Sequence, residues 1–206
     1  MVKPSISIKV GSVALIMTLT LLYGLYTKRS IESVLTDGSS LVLKDMPRFS
    51  LESFSDSKKE VITDHSLFRS SDRLGFVHFW ATWCAPCEAE LPDFISLVRK
   101  YEKSGVRALL IAVQDDVNKM KKYLKKFKDL PSNIDIVHDK TGELMSRFGT
   151  VKIPETYLFD RNNKNLNKYV GPQDWSQKRF SDRIDFYLLS LKMDPIKSKN
   201  YPIESH

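Results

Sequence analysis

The sequence predicts an α/β protein in which helices cover both faces of a central mixed β-sheet. Short apolar runs, each of the length of a buried strand, alternate with longer segments of helical periodicity through the middle of the chain. Two further strand-like runs then flank a polar turn, which indicates a hairpin, and an amphipathic helix follows. An order of β-α-β-α, hairpin and helix is typical of a layered α/β domain.

The first half of the predicted domain is built around two buried strands. Its predicted elements are short strands at 48–54 and 60–63 around a turn at 56–59, a helical turn and loop at 65–74, a strand at 76–80, a helix at 86–103, a strand at 106–113, and a helix from 115 or 116 to 128. Pro92 should kink the first helix, and Gly105 should follow its end. Apolar spacing predicts that the second helix turns its apolar residues inward, namely Val117, Met120, Leu124 and Phe127.

The second half adds the hairpin and the closing helix. Its predicted elements are a strand at 134–138, a helix at 141–148 followed by Gly149, strands at 155–160 and 166–170 around a turn at 161–164, and a helix at 174–192. Residues 193–206 contain two prolines among polar residues and are expected to form a flexible tail.

The N-terminal part of the chain differs in composition from the rest. Residues 10–26 carry no charge and would span roughly 25 Å as a helix, close to the lower limit for crossing a bilayer. We therefore expect a cytoplasmic N-terminus at 1–9, a transmembrane signal anchor at 10–26, a linker at 27–45, the globular domain at 46–192 and the tail at 193–206. A cleaved signal peptide and a buried core helix are the alternatives.

Charge and cysteine content narrow the range of functions. The net charge of +7 in 206 residues is moderate, and the sequence has neither a phosphate-binding glycine loop nor a zinc-finger spacing, so no nucleic-acid partner is expected. The only two cysteines are Cys84 and Cys87. A disulfide between them would close a very short loop and constrain the unfolded chain little. Redox chemistry or metal binding explains the pair better than stability does.

The position of the two cysteines favours redox chemistry. Cys84 lies where a buried strand ends and a helix begins, and Pro86 suits the first turn of that helix. The amide donors and the positive dipole end of a helix N-terminus stabilise a thiolate, which is the species that attacks a disulfide. We therefore predict that Cys84 is the nucleophile and that Cys87 resolves the mixed disulfide.

Metal binding is the alternative function for the pair. A zinc site would need about two more thiol or imidazole ligands, and the sequence offers none with paired spacing. Its four histidines are His65, His78, His138 and His206. A copper(I)-binding metallochaperone that uses the two thiolates is the form of this alternative that stays open. Otherwise no cofactor is expected beyond the redox-active disulfide itself.

Two segments resemble the membrane-anchored thioredoxin-fold proteins of the TlpA/ResA/DsbE-like group. They are FWATWCAPCEAELP at 79–92 and VKIPETYLFD at 151–160. The resemblance implies a thioredoxin-like fold and a thiol–disulfide oxidoreductase anchored in the bacterial inner membrane, with its soluble domain in the periplasm or extracytoplasmic space. It further implies a reducing role, with protein thiols and disulfides as substrates, apocytochrome c among them, and a membrane thiol reductant upstream.

The resemblance also assigns roles to individual residues. It implies that Pro154 is cis and lies beside the disulfide, and that the backbone of Ile153 pairs with an extended substrate segment. Trp83 and Pro86 would flank the sulfurs, and both are expected to contact the substrate, as are Pro154 and Glu155. Glu155 is either a surface residue or part of the rim of the site.

Two ionisable residues near the pair have alternative interpretations. Glu90 follows Cys87 by three positions on the helix, so its charge would tune the pKa of the thiols, unless it is only a solvated glutamate of the first turn. His78 occupies a position where the group more often has a small polar residue. It either relays protons to Cys87 or is a neutral histidine hydrogen-bonded within the sheet.

Overall fold

The structure is a computed structural model that describes residues 17–23, 43–54, 60–68, 71–127 and 129–193. The chain divides into two units, residues 1–43 and 44–206. In the first unit, residues 17–23 form a helix, α1. Within the described residues, no helix combines the length and the apolar character that a membrane crossing requires. The remainder of the predicted anchor at 10–26, most of the predicted linker, the turn at 56–59 and the tail from residue 194 lie outside the described residues.

The second unit contains the mixed β-sheet that the sequence predicts. The strands are β1 Ser50–Glu52, β2 Val61–Thr63, β3 Leu74–Trp80, β4 Val106–Val113, β5 Ile134–Asp139, β6 Glu155–Asp160 and β7 Asn165–Val170. Five of them form one sheet in the order β5-β4-β3-β6-β7. β3, β4 and β5 are parallel, whereas β6 runs antiparallel to both β3 and β7. β1 and β2 form a separate antiparallel pair.

Helices cover both faces of this sheet, as predicted. The remaining helices are α2 Ala85–Lys100, α3 Val117–Leu124, α4 Glu143–Arg147 and α5 Lys178–Met193, with a short 3-10 helix at Glu102–Ser104. Buried residues of α2, α3 and α5 share one core with β3 and β4. On the opposite face, Phe148 at the end of α4 packs edge-on against Phe79, with ring centroids 5.1 Å apart.

All seven residues of β3 are buried, which explains why this strand was the clearest one in the sequence. Alternate side chains of a strand point to opposite faces. Phe76 contacts Phe94 and Trp175 in the larger core, whereas Phe79 contacts Phe148 and Tyr157 in the smaller one. Side chains of β3 therefore pack into a core on each face of the sheet. The cysteine pair follows the end of this strand in sequence.

Two helix predictions need correction. Asp116 accepts hydrogen bonds from the amides of Asn118 and Lys119 and so begins α3 at Val117, whose side chain is 39% exposed and not inward as predicted. Met120 is buried as predicted, and so is Tyr123, which the spacing did not indicate. Leu124 and Phe127 are partly buried against the core, as predicted. The helix ends at Leu124 and not at residue 128. The closing helix begins at Lys178 and not at residue 174, because the Asp174 carboxylate holds the preceding turn through Ser176 and Gln177.

Gly105 is expected to be intolerant of a side chain. Its φ of +78° is left-handed, and an added Cβ would lie 2.6 Å from the backbone oxygen of Ser71. Gly105→Ala should lower the free energy of unfolding by about 1–3 kcal/mol, measured by chemical denaturation. Gly149→Ala is the matched control, since φ is +70° there but the added Cβ meets no atom within 4 Å. Equal losses in the two variants would show that the Ser71 contact contributes nothing.

Candidate active site

The cysteine pair lies at the junction of β3 and α2. Cys84 is the N-cap of α2 and Pro86 lies in the first turn, as the sequence predicts. Cys84 and Cys87 form a disulfide with their Cα atoms 5.3 Å apart. The amide of Cys87 donates to Cys84 Sγ over 3.3 Å, so a helix N-terminal N–H points at the sulfur of the predicted nucleophile. Cys84 is 6% exposed and Cys87 fully buried, which makes Cys84 the sulfur that a substrate can reach.

A cis-proline loop lies directly against the disulfide. The Ile153–Pro154 peptide bond is cis, as the resemblance implied. The carbonyl oxygen of Ile153 lies 3.8 Å from Cys84 Sγ. Val151, two residues before Ile153, is 85% exposed, and Trp83, the residue before Cys84, is 58% exposed. Apolar side chains that adjoin the cis-proline bond and Cys84 in sequence are therefore open to solvent.

Asp115 holds the loop before Cys84, and the sequence did not identify it as a residue of the site. Asp115 accepts hydrogen bonds from the amide and the hydroxyl of Thr82, each 2.6 Å long. The indole N–H of Trp83 donates to the carbonyl of Gln114 over 3.2 Å. The segment after β4 thus holds the segment after β3, because parallel neighbouring strands bring their C-terminal ends to one edge of the sheet.

Asp115→Ala should loosen the loop that presents Cys84. The change leaves the Thr82 donors without their acceptor, and we expect the free energy of unfolding to fall by about 1–3 kcal/mol. Thermal or urea denaturation of the oxidised protein measures this loss. Glu143→Ala, which removes an exposed carboxylate from α4, is the control. An Asp115→Ala variant as stable as the control would remove Asp115 from the support of the site.

Glu90 is a buried carboxyl group, so its interpretation as a solvated first-turn glutamate is wrong. Its residue is 6% exposed, and Oε2 accepts a hydrogen bond from the amide of Gln173 over 2.5 Å. Burial raises the pKa of Glu90 to about 7, against the opposing effect of the Gln173 hydrogen bond. A carboxyl group one helical turn beyond Cys87 therefore exchanges its proton near neutral pH.

His78 lies beside Glu90 on the larger core. Its Nδ1 is 2.8 Å from the hydroxyl of Thr156, and its ring stacks on Phe94 with centroids 4.6 Å apart. Nε2 faces Oε1 of Glu90 at 3.8 Å. Burial lowers the pKa of His78 to about 3, so the ring is neutral at physiological pH. This matches the interpretation as a neutral histidine within the sheet, and the relay to Cys87 stays a prediction.

Glu155 is not a surface residue, contrary to one of its two interpretations. It is 2% exposed, its Oε1 accepts from the hydroxyl of Tyr157 over 2.9 Å, and it forms an ion pair with Lys168. Tyr157 also contacts the Phe148 carbonyl and the Thr150 hydroxyl. These contacts join the two ends of the cis-proline loop, so Glu155 is placed to support the loop, and its predicted contact with substrate stays a prediction.

The described residues contain no group of three or more histidine, cysteine or acidic side chains arranged to hold a metal ion. What the arrangement offers chemically is a disulfide with one accessible sulfur, a helix N-terminus behind it and a carboxyl group that titrates near neutrality. These are the requirements for thiol–disulfide exchange.

The sheet order, the helix that begins at the cysteine pair and the adjoining cis-proline loop define a thioredoxin-like domain. The chain belongs to the AhpC/TSA family, which matches residues 42–165. Among solved structures, a thioredoxin-family thiol:disulfide interchange protein from Chlorobium tepidum TLS matches with a TM-score of 0.56 and 24% identity over 70% of this chain and 96% of that chain. StoA from Bacillus subtilis matches with a TM-score of 0.52 and 21% identity over 70% and 98%.

Relatives with higher identity carry the name thiol-disulfide oxidoreductase ResA. The protein of Bacillus thuringiensis subsp. konkukian is 32% identical over 102 residues, which are 50% of this chain and 57% of that relative. The protein of Geobacillus thermodenitrificans is 34% identical over 89 residues, 43% of this chain and 49% of the relative. The chain thus spans about half the length of these relatives. The similarity supports a ResA/DsbE-like thioredoxin fold, as the sequence motifs predicted.

Proposed function

We propose that this protein is a thiol–disulfide oxidoreductase that exchanges disulfides with protein substrates through Cys84 and Cys87. The observation that carries the proposal is the position of Cys84 Sγ, which receives an amide N–H at the start of α2 and lies 3.8 Å from the Ile153 carbonyl. A thiolate at Cys84 would be stabilised by the helix end, and a substrate chain beside Ile153 would bring its own sulfur within reach. The names of the ResA relatives support the same reaction.

The direction of exchange, the substrate and the cellular location belong to this proposal. We propose a reducing role outside the cytoplasm, with apocytochrome c cysteines among the substrates and a membrane thiol reductant as the electron donor. The uncharged run at residues 10–26, with lysines before it and basic residues after it, supports a single-pass anchor in the inner membrane. A fusion of alkaline phosphatase after residue 206, active only outside the cytoplasm, tests this placement.

The reaction itself is tested with the purified full chain. Oxidised protein is mixed with a dithiol and with two peptides that are joined by one disulfide bond. Reduction of this bond is followed with and without the protein. Acceleration at neutral pH supports the proposal, and a disulfide that neither reacts with the dithiol nor accelerates the reaction contradicts it. Equilibration with glutathione buffers gives the reduction potential, and a value as low as those of reducing thioredoxins, near −270 mV, supports the reducing role. Stoichiometric copper(I) retained after purification under reductant, without exchange activity, would favour the metallochaperone.

A further inference from the structure

Two buried polar atoms, one on β3 and one on α2, face each other without forming a hydrogen bond. They are Nε2 of His78 and Oε1 of Glu90, which lie 3.8 Å apart. In the described part of the chain neither atom has a hydrogen-bond partner. Both side chains are buried, with His78 at 0% and Glu90 at 6% exposure. The indole N–H of Trp175 is likewise buried without a hydrogen-bond partner among the described residues, and against the larger effect of burial it lowers the pKa of Glu90. An indole N–H can only donate, so it suits the ionised carboxylate, whereas Nε2 of His78 can also accept from a protonated carboxyl group. Buried polar atoms are rarely left unpaired, so a short movement that joins His78 to Glu90 is favoured.

The other nitrogen of the imidazole, Nδ1, already has a hydrogen-bond partner that can either donate or accept. Nδ1 is 2.8 Å from Thr156 Oγ1, and a hydroxyl group can donate or accept. If Nδ1 carries the proton, Nε2 is an acceptor and can receive a hydrogen bond from a protonated Glu90. If Nε2 carries the proton, it can donate to an ionised Glu90, while the threonine hydroxyl donates to Nδ1. Each neutral tautomer of His78 therefore fits one charge state of Glu90.

The described neighbours of this pair come from β4, β6, α2 and the segment before α5. β4 places Leu110 beside His78, and β6 places Thr156 on its other side. α2 contributes Phe94 in addition to Glu90, and the segment before α5 contributes the Gln173 amide and the indole of Trp175, which packs against Phe94. Cys87, three residues before Glu90 on α2, and Cys84 at the N-cap are joined in the disulfide and so do not titrate in the oxidised protein.

We propose that His78 is a positioning residue for Glu90 that changes its neutral tautomer when Glu90 gains or loses a proton, with the Thr156 hydroxyl supporting both tautomers. When Glu90 ionises, the ring loses the proton on Nδ1 and takes one on Nε2, and one proton leaves the Thr156–His78–Glu90 group as a whole. The charge of the imidazole does not change. The low pKa of His78, about 3 because of its burial, agrees with a ring that stays neutral throughout.

This arrangement gives Glu90 a partner in both of its charge states. A buried carboxyl group that must accept and release a proton would otherwise lose a hydrogen bond in one of them. The role in disulfide exchange rests on the proposed function above, together with the prediction from the sequence that the charge of Glu90 tunes the pKa of the thiols. The tautomer change itself does not depend on the proposed function, because it can be observed in the oxidised protein without any substrate.

The test is a pH titration of the oxidised full chain labelled with ¹⁵N-histidine and ¹³C-glutamate. Long-range ¹H–¹⁵N spectra distinguish the two neutral tautomers from the imidazolium, and the signal that disappears in His78→Asn belongs to His78. We expect the Nδ1–H tautomer at low pH and the Nε2–H tautomer at high pH, with the same midpoint as the Glu90 carboxyl carbon. A single tautomer across the Glu90 titration, or an imidazolium that forms near neutral pH, would overturn the proposal.

Variants separate this role from simple packing. Glu90→Gln should leave His78 in one tautomer at every pH. His78→Phe keeps a stacked ring but removes the donor to the carboxylate, and should raise the Glu90 midpoint by about one unit, a tenfold change in proton affinity. His78→Asn retains an amide that can donate or accept, and should hold the midpoint closer to that of the wild type. Equal midpoints in the Phe and Asn variants would count against the proposal, and if His78→Phe does not fold, the wild-type and Glu90→Gln titrations still decide.

The outcomes for the two proposals are distinguishable. A chain that switches tautomers but does not exchange disulfides refutes the proposed function and leaves this inference standing. A chain that exchanges disulfides while His78 keeps one tautomer refutes the inference alone.

Discussion

Serine at position 84 is expected to reduce disulfide exchange to the uncatalysed background, whereas serine at position 87 should leave the first step intact and stop the second. The two sulfurs differ in access, since Cys84 is 6% exposed and Cys87 is fully buried. A hydroxyl group does not replace a thiolate in attack on a disulfide, so Cys84→Ser has no nucleophile. Cys87→Ser retains the nucleophile at the helix N-terminus but lacks the thiol that would release the substrate.

The measurement is the covalent adduct with a disulfide-containing peptide, separated under non-reducing conditions and weighed by mass spectrometry. Cys87→Ser should accumulate one peptide per chain, bound at Cys84, and Cys84→Ser should accumulate far less. Ala85→Ser is the matched control, because it introduces serine at the exposed position between the cysteines and removes no sulfur. Equal trapping by the two cysteine variants would contradict the assignment of Cys84 as nucleophile.

The sheet and the location of the site could be predicted because both depend on local patterns. β3 and β4 are buried along their whole lengths and so appear as runs that are apolar apart from His78 and Arg107. The Cys-Ala-Pro-Cys segment that follows β3 marks where a strand gives way to a helix. Strand β6 was predicted at its observed limits from the polar turn that follows it. The cis state of the Ile153–Pro154 bond came only from the resemblance, since most prolines are trans.

The surroundings of the disulfide could not be predicted, because they depend on contacts between residues far apart in sequence. Helical spacing places Glu90 near Cys87, but its burial depends on the segment that contains Gln173, which is 83 residues further along. The tie between Thr82 and Asp115 spans 33 residues in the same way. Glu155 was ambiguous because its ion pair with Lys168 exists only once β6 and β7 are paired.

The burial of Glu90 predicts how the stability of the oxidised protein depends on pH. The pKa of this carboxyl group is about 7 in the folded protein, compared with 4.5 for an unperturbed glutamate. The folded state therefore holds the proton more tightly than the unfolded state. Stability is unaffected below about pH 4.5, falls as the pH rises towards 7, and stays reduced above it by about 3 kcal/mol.

Glu90→Gln should remove this dependence, because an amide does not ionise. The free energy of unfolding of Glu90→Gln relative to wild type should rise by up to about 3 kcal/mol between pH 4.5 and pH 8, in favour of the variant. Urea denaturation of both oxidised proteins across this pH range measures the difference in free energy of unfolding. The contributions of the other titrating groups are the same in both proteins and cancel in this difference. Glu88→Gln, a change in the same helical turn at a partly exposed position, is the control. A difference between wild type and Glu90→Gln that does not vary with pH would mean that the carboxyl group has its ordinary pKa in the folded protein.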